Sequence, residues 1–209
     1  LLVVGHGGDY VRRRVKGTAT GRRGMRLFVS VDLPDDLTDA VAAVQDLFAD
    51  AAGLEFTQPD QAHVTLKFLG ETPERRVDEV VAALERAVDR SGVEPFAATY
   101  GGLGVFPSME YISVVWFGVR DGEQAFERLQ APIEEELVDV GFDEADHEFT
   151  PHVTLARMKH AGGKDLVQRV VAEESPVVGT TTVEEVRLTE STLTHDGPVY
   201  ETVERVPLG

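Results

Sequence analysis

The chain has 209 residues, 42% of them hydrophobic, enough for a substantial core, and no cysteine, which excludes disulfides, thiolate nucleophiles and cysteine-based zinc sites. Its 37 acidic and 20 basic residues give a formal net charge of −17, and the folded part lacks the basic stripe of a protein that reads duplex nucleic acid. No apolar run approaches the roughly 18 residues of a membrane helix, and the apolar start, residues 1–4, is too short for a secretory core, so the expectation is a cytoplasmic protein without a membrane span.

In chain order, residues 1–24 stand apart. Arg12, Arg13, Arg14, Lys16, Arg22 and Arg23 face a single acid, Asp9, among several glycines, and the segment is expected to be a disordered basic extension ahead of Met25 rather than an arm that grips RNA. Residues 25–209 then form one domain. Residues 26–31 read as a strand, and Pro34-Asp35-Asp36 opens a helix whose Leu37, Val41, Val44 and Phe48 keep helical spacing. A strand over 62–69 follows, then Thr72-Pro73-Glu74 as a cap and a helix lined by Val77, Val80, Val81, Leu84 and Val88. Residues 96–104 read as a strand ending in a glycine-rich turn, 111–119 as a strand, and 122–140 as a helix with Leu129, Ile133 and Leu137 on one face. A strand over 149–158 and a weaker helix over 164–172 come next. The last strands, 184–193 and 199–206, are joined by the turn signal His195-Asp196-Gly197-Pro198 and pair as a hairpin.

The order strand, helix, strand, helix thus occurs twice, and the second strand of each unit carries the same tetrapeptide: His63-Val64-Thr65-Leu66 and His152-Val153-Thr154-Leu155. A repeat of this size points to two related lobes. Side chains two apart on a strand share a face, so His63 lies with Thr65 and His152 with Thr154, while the valines and leucines face the core. Brought together, two imidazoles and two hydroxyls suit a phosphodiester. They supply two proton-transfer groups with pKa values naturally near about 6.5 and two neutral phosphate donors. Phe68, Phe106 and Phe149 are candidates for stacking on a nucleobase. The competing metallohydrolase would use His63, His152, His147 and Asp146, but no His-x-x-x-His or His-x-Glu spacing supports it. A non-catalytic module that binds RNA ends is the other competitor.

With these motifs and their flanks the chain resembles the 2H phosphoesterase superfamily, and within it the RNA 2′,3′-cyclic phosphodiesterases historically called 2′-5′ RNA ligases. The resemblance runs from Met25 to the C-terminus and rests on residues 25–34 (MRLFVSVDLP), 63–71 (HVTLKFLGE), 102–107 (GLGVFP), 149–157 (FTPHVTLAR) and 193–200 with Gly197-Pro198. It implies an α+β, bilobal fold of two pseudo-symmetric lobes, mainly antiparallel sheet with outer helices and a central cleft. It also implies catalytic roles for His63 and His152, and substrate binding by Thr65, Thr154 and Arg157, the arginine five places after the second histidine. The implied activity is hydrolysis of 2′,3′-cyclic phosphate ends to 2′-phosphomonoesters, on RNA or a small cyclic nucleotide, by a monomer with no metal and no cofactor, the alternative substrates being small cyclic phosphates from tRNA splicing. Reversible 2′-5′ ligation would be minor. Glu110-Tyr111 stand where the family often has a basic residue. Acid spread over the whole chain with only four lysines suggests a surface adapted to salt, where at about 1 M the Debye length of about 3 Å leaves an RNA end unrepelled.

Overall fold

The structure is a computed structural model that describes residues 24–195 and 197–209; the expected basic extension, save Gly24, lies outside the described residues. Strands β1 (Gly24–Asp32), β3 (His63–Pro73), β8 (Glu185–Thr194) and β9 (Gly197–Pro207) make one half of a continuous antiparallel sheet. Strands β2 (Leu54–Phe56), β4 (Phe96–Pro107), β5 (Ile112–Asp121), β6 (His152–Met158) and β7 (Val177–Val183) make the other. The spatial order is β7-β4-β5-β6-β3-β1-β8-β9, with β2 added beside β6. The two motif strands are therefore neighbours. They meet through one register pair, Val64 opposite Val153, and both valines are buried.

Four helices cover the sheet: α1 (Thr38–Asp46), α2 (Val77–Ser91), α3 (Glu123–Asp139) and α4 (Lys164–Glu173). The helices cross over between the two repeat units. Helix α1 leaves the β1 lobe to pack on β6 and β7, whereas α3 leaves the β5 lobe to pack on α2 and β3. Each lobe thus borrows its first helix from the other unit, and the core of buried Phe48, Leu84, Phe117, Phe126, Leu129 and Leu188 is continuous through both. Docking either helix buries large apolar side chains, each worth roughly 1.5–3 kcal/mol. The exchange therefore ties the lobes together despite the single register pair between β3 and β6.

Several expected boundaries move. Strand β3 runs on to Pro73 where a helix cap was expected, and a 3₁₀ turn over Glu74–Arg76 leads into α2. The expected glycine-rich turn at the end of the fourth strand is overturned. Strand β4 continues through Gly101–Gly104 to Pro107, irregular there against β5, and a Cβ on Gly104 would sit 2.2 Å from Trp116 Cζ2. The missing side chain gives the indole its bed. Two strands went unforeseen: β2 has only three residues, and β7 is a threonine-rich edge strand paired to β4 alone, so its pattern lacks a clean apolar face. Among the described residues no helix is long and apolar enough to cross a membrane.

Candidate active site

Both motif histidines are half-buried on the same side of the sheet as their threonines, while Val64, Leu66, Val153 and Leu155 are buried in the core. Because the chains run antiparallel about Val64 and Val153, His63 lies toward Thr154 and His152 toward Thr65. The four groups converge. Each imidazole is oriented the same way: His63 Nδ1 lies 2.8 Å from the Gln61 carbonyl and His152 Nδ1 2.7 Å from the Thr150 carbonyl. A carbonyl oxygen only accepts, so Nδ1 carries a hydrogen in both rings and Nε2 is the nitrogen left to exchange a proton with a substrate.

A β-bulge sits at the same place in each motif. On β3 the register steps from Val29 opposite Lys67 to Ser30 opposite Thr65, leaving Leu66 unopposed. On β6 it steps from Val115 opposite Ala156 to Trp116 opposite Thr154, leaving Leu155 unopposed. The extra residue reverses the alternation beyond it. Arg157, five residues after its histidine, would face the core by simple alternation but is instead exposed on the His152 and Thr154 side. The equivalent position in the first motif is Phe68, exposed to 68%. The bulges are held from outside the sheet. Gln45 on α1 donates to the Leu155 carbonyl at 3.1 Å, as does the Thr57 hydroxyl at 3.1 Å. Lys67, turned inward to 6% exposure, donates to Glu134 on α3 at 2.7 Å and to the Asp143 carbonyl at 2.8 Å.

Aromatic rings wall each histidine. His63 packs against Phe28 (centroids 5.0 Å apart) and edge-on to Tyr200 (5.1 Å), and Phe28 reaches Phe68 (6.1 Å). His152 packs against Phe106 (4.9 Å) and Trp116 (5.9 Å). Burial by these rings pushes both imidazoles below their ordinary value. For His63 the Gln61 carbonyl and the Asp32 carboxylate oppose the shift. For His152 the Thr150 carbonyl opposes it, while His63, His147 and Arg157 deepen it. The charge of His63 is thus among the causes that act on His152. Tyr200 is held above its usual value by burial, with the charges of Arg157 and Arg26 opposing the shift.

Of the stacking candidates, Phe68 is exposed, Phe106 lies against His152 and Trp116, and Phe149 packs on the core. Asp146 and His147 pair with each other at 2.6 Å on the exposed surface. Among the described residues no group of three or more His, Asp or Glu is placed to hold a metal ion. Sequence reasoning missed Trp116, and also Phe28 and Asp32 although they lie in residues 25–34, because all three reach the histidines only through strand pairing. Tyr200 could have been singled out by its place in residues 193–200, one of the segments that carry the resemblance, but not matched to His63.

Comparison with known proteins gives a consistent picture. A family model described as the 2′-5′ RNA ligase superfamily matches residues 33–194. The chain is 38% identical over 185 residues to the RNA 2′,3′-cyclic phosphodiesterase of Methanothermobacter thermautotrophicus, covering 86% of this chain and 97% of that protein. It is 34% identical over 189 residues to the protein of the same name from Thermus thermophilus, covering 88% and 90%. A crystal structure of a Thermus thermophilus protein superposes with a TM-score of 0.73 at 29% identity, covering 88% of this chain and 98% of that one. Escherichia coli LigT complexed with 3′-AMP shares the fold, with a TM-score of 0.71 at 24% identity over 88% of this chain and 98% of that one.

Proposed function

The chain belongs to the 2′-5′ RNA ligase superfamily, and from that premise we propose that it is an RNA 2′,3′-cyclic phosphodiesterase that works by acid/base catalysis between His63 and His152. The observation that carries this reading is the pair of half-buried imidazoles on adjacent strands, each with Nδ1 committed to a backbone carbonyl and each beside a threonine hydroxyl. His152 Nε2 takes a proton from water as the water oxygen bonds to phosphorus. The bond from phosphorus to the ribose 3′ oxygen breaks, and His63 Nε2–H protonates that oxygen, leaving a 2′-phosphomonoester. Thr65 and Thr154 hydroxyls and the Arg157 guanidinium stabilise the charge that builds on the equatorial oxygens. The scheme uses no metal and no cofactor. With a 5′-hydroxyl in place of water as the nucleophile, the same displacement of the 3′ oxygen would join ends in a 2′-5′ linkage, a minor route because water is in vast excess.

The test is turnover of an RNA oligonucleotide ending in a 2′,3′-cyclic phosphate, in about 1 M KCl where surface repulsion is screened, with EDTA present and the product read by phosphorus NMR. A 2′-phosphate is the expected product. Because burial lowers both imidazoles, the kcat/KM profile should be a bell lying on the acid side of about pH 6.5, falling at low pH as the base is protonated and at high pH as the acid is lost. A profile flat from about pH 5 to 9 would contradict two histidines in these roles.

The exposed Phe68 supports a substrate that carries a base over a small cyclic phosphate without one. An exposed ring on the face of the two imidazoles offers a base about 1–3 kcal/mol of stacking, as aromatic platforms do. Phe68→Ala is expected to raise KM for a nucleoside 2′,3′-cyclic phosphate about tenfold and to leave KM for a cyclic phosphate without a base unchanged. Equal effects on the two substrates would rule out stacking.

A further inference from the structure

The motifs are alike, yet hydrolysis needs them unlike, with one imidazole protonated and the other neutral. The residues opposite the histidines differ. On β1, Asp32 is the register partner of His63; at the matching place on β5, the partner of His152 is Gly118. The carboxylate is built in rather than incidental. Ser30 Oγ, on a fully buried residue, donates to Asp32 Oδ1 at 2.9 Å and lies 3.2 Å from the Thr189 hydroxyl. Arg187 Nη1 on β8 donates to Asp32 Oδ2 at 2.7 Å, and the same guanidinium donates through Nε to Glu185 at 2.7 Å. Among the described residues no carboxylate acts on His152; the charges that do are those of His63, His147 and Arg157.

We propose that Asp32, held by Ser30 and Arg187, is the positioning residue that distinguishes the two imidazoles: it favours the proton on His63 and so makes His63 the acid and His152 the base. This rests on the two-histidine reading above. The titratable neighbours of His63 are Asp32 on β1, Tyr200 on β9 and His152 on β6. Of these Asp32 brings the carboxylate, whose charge acts on His63 in the raising direction, and an opposite charge on an adjoining strand position favours the imidazolium. The backbone carbonyl at Nδ1 cannot provide the distinction because both rings have one. Arg187 tempers the effect by partly neutralising Asp32, so the network sets a level rather than a maximum.

The two halves of the network predict shifts of opposite sign. Asp32→Asn removes the anion with little change of shape, and the alkaline limb of the kcat/KM profile should move down by about one pH unit. Arg187→Met leaves the carboxylate without its cation, and the same limb should move up. Histidine NMR titration of the same proteins, with the His63 signal assigned by its loss in His63→Gln, should show His63 moving with the limb and His152 moving less. A merely structural role would lower activity in both variants without opposed shifts, and that result overturns the proposal. So does movement of the acid limb in place of the alkaline one, which would make His63 the base. The NMR titration needs no turnover, so failure of the two-histidine reading, seen as retained activity in a histidine variant, is distinguishable from failure of Asp32 to act on His63. Should Asp32→Asn not fold, the upward shift in Arg187→Met alone decides.

Discussion

Replacing His63 or His152 singly with glutamine, which keeps much of the ring's volume, is expected to lower kcat for a 2′,3′-cyclic phosphate end by about 10²–10⁴-fold each. Replacing both should cost little more than the worse single change. In the proposed mechanism attack and departure occur in one displacement at phosphorus. With no base at Nε2 of His152 the water oxygen stays a weak nucleophile. With no acid at Nε2 of His63 the ribose oxygen must leave as an alkoxide. Either defect alone makes the concerted step inaccessible, so the second loss finds little catalysis left to remove. Both rings are packed by aromatics, His63 by Phe28 and Tyr200, His152 by Phe106 and Trp116, so unchanged circular dichroism and melting temperature should accompany the comparison. Single variants that each retain more than about a tenth of wild-type kcat, or losses that multiply in the double variant, would mean that the imidazoles do not act as a pair.

The quartet of His63, Thr65, His152 and Thr154 was legible because a strand has a fixed period of two and the tetrapeptide occurs twice. Two copies with the same polar face imply one shared cleft even before any strand order is known. The α+β class and most elements were legible for the same kind of reason. What stayed hidden depends on pairing between distant segments. Asp32 is an ordinary strand-end acid until β1 is set against β3, and Gly104 is an ordinary turn residue until Trp116 is laid across it. The exchange of α1 and α3 between lobes leaves no trace in helical periodicity, since a buried stripe looks the same whichever sheet it covers.

The bulges show why spacing alone misleads here. Read by alternation, Lys67 should be in solvent and Phe68 in the core, but Lys67 is 6% exposed and Phe68 68%. The buried lysine is tolerated because Glu134 and the Asp143 carbonyl take its hydrogens; removing one partner of such a pair costs about 3–5 kcal/mol where it leaves the other charge stranded. The same backbone step in the second motif turns Arg157 outward. One device thus yields a cation on one side of the cleft and a ring on the other, and the cleft gains a polarity that two identical tetrapeptides could not give it.

That polarity sets the expectation for Arg157. Arg157→Met should lower kcat by about 10²–10³-fold, the usual loss when one preorganised donor to a developing oxyanion is removed. Its KM should change much less if the guanidinium meets the charge mainly as the phosphorus becomes five-coordinate. Arg157→Lys should recover only part of the rate, because an ammonium lacks the planar fork that spans two phosphate oxygens. Steady-state kinetics on the same cyclic-phosphate oligonucleotide separate the cases. A rise in KM with kcat preserved would place Arg157 in ground-state binding of the RNA backbone. Full rescue by lysine would reduce its part to bulk charge. A neutral result in both variants would assign the equatorial oxygens to Thr65 and Thr154 alone. Because the side chain reaches the cleft only through the bulge at Leu155, the arginine's contribution is also a measure of what that one unopposed residue, pinned by Gln45 and Thr57, does for the chemistry.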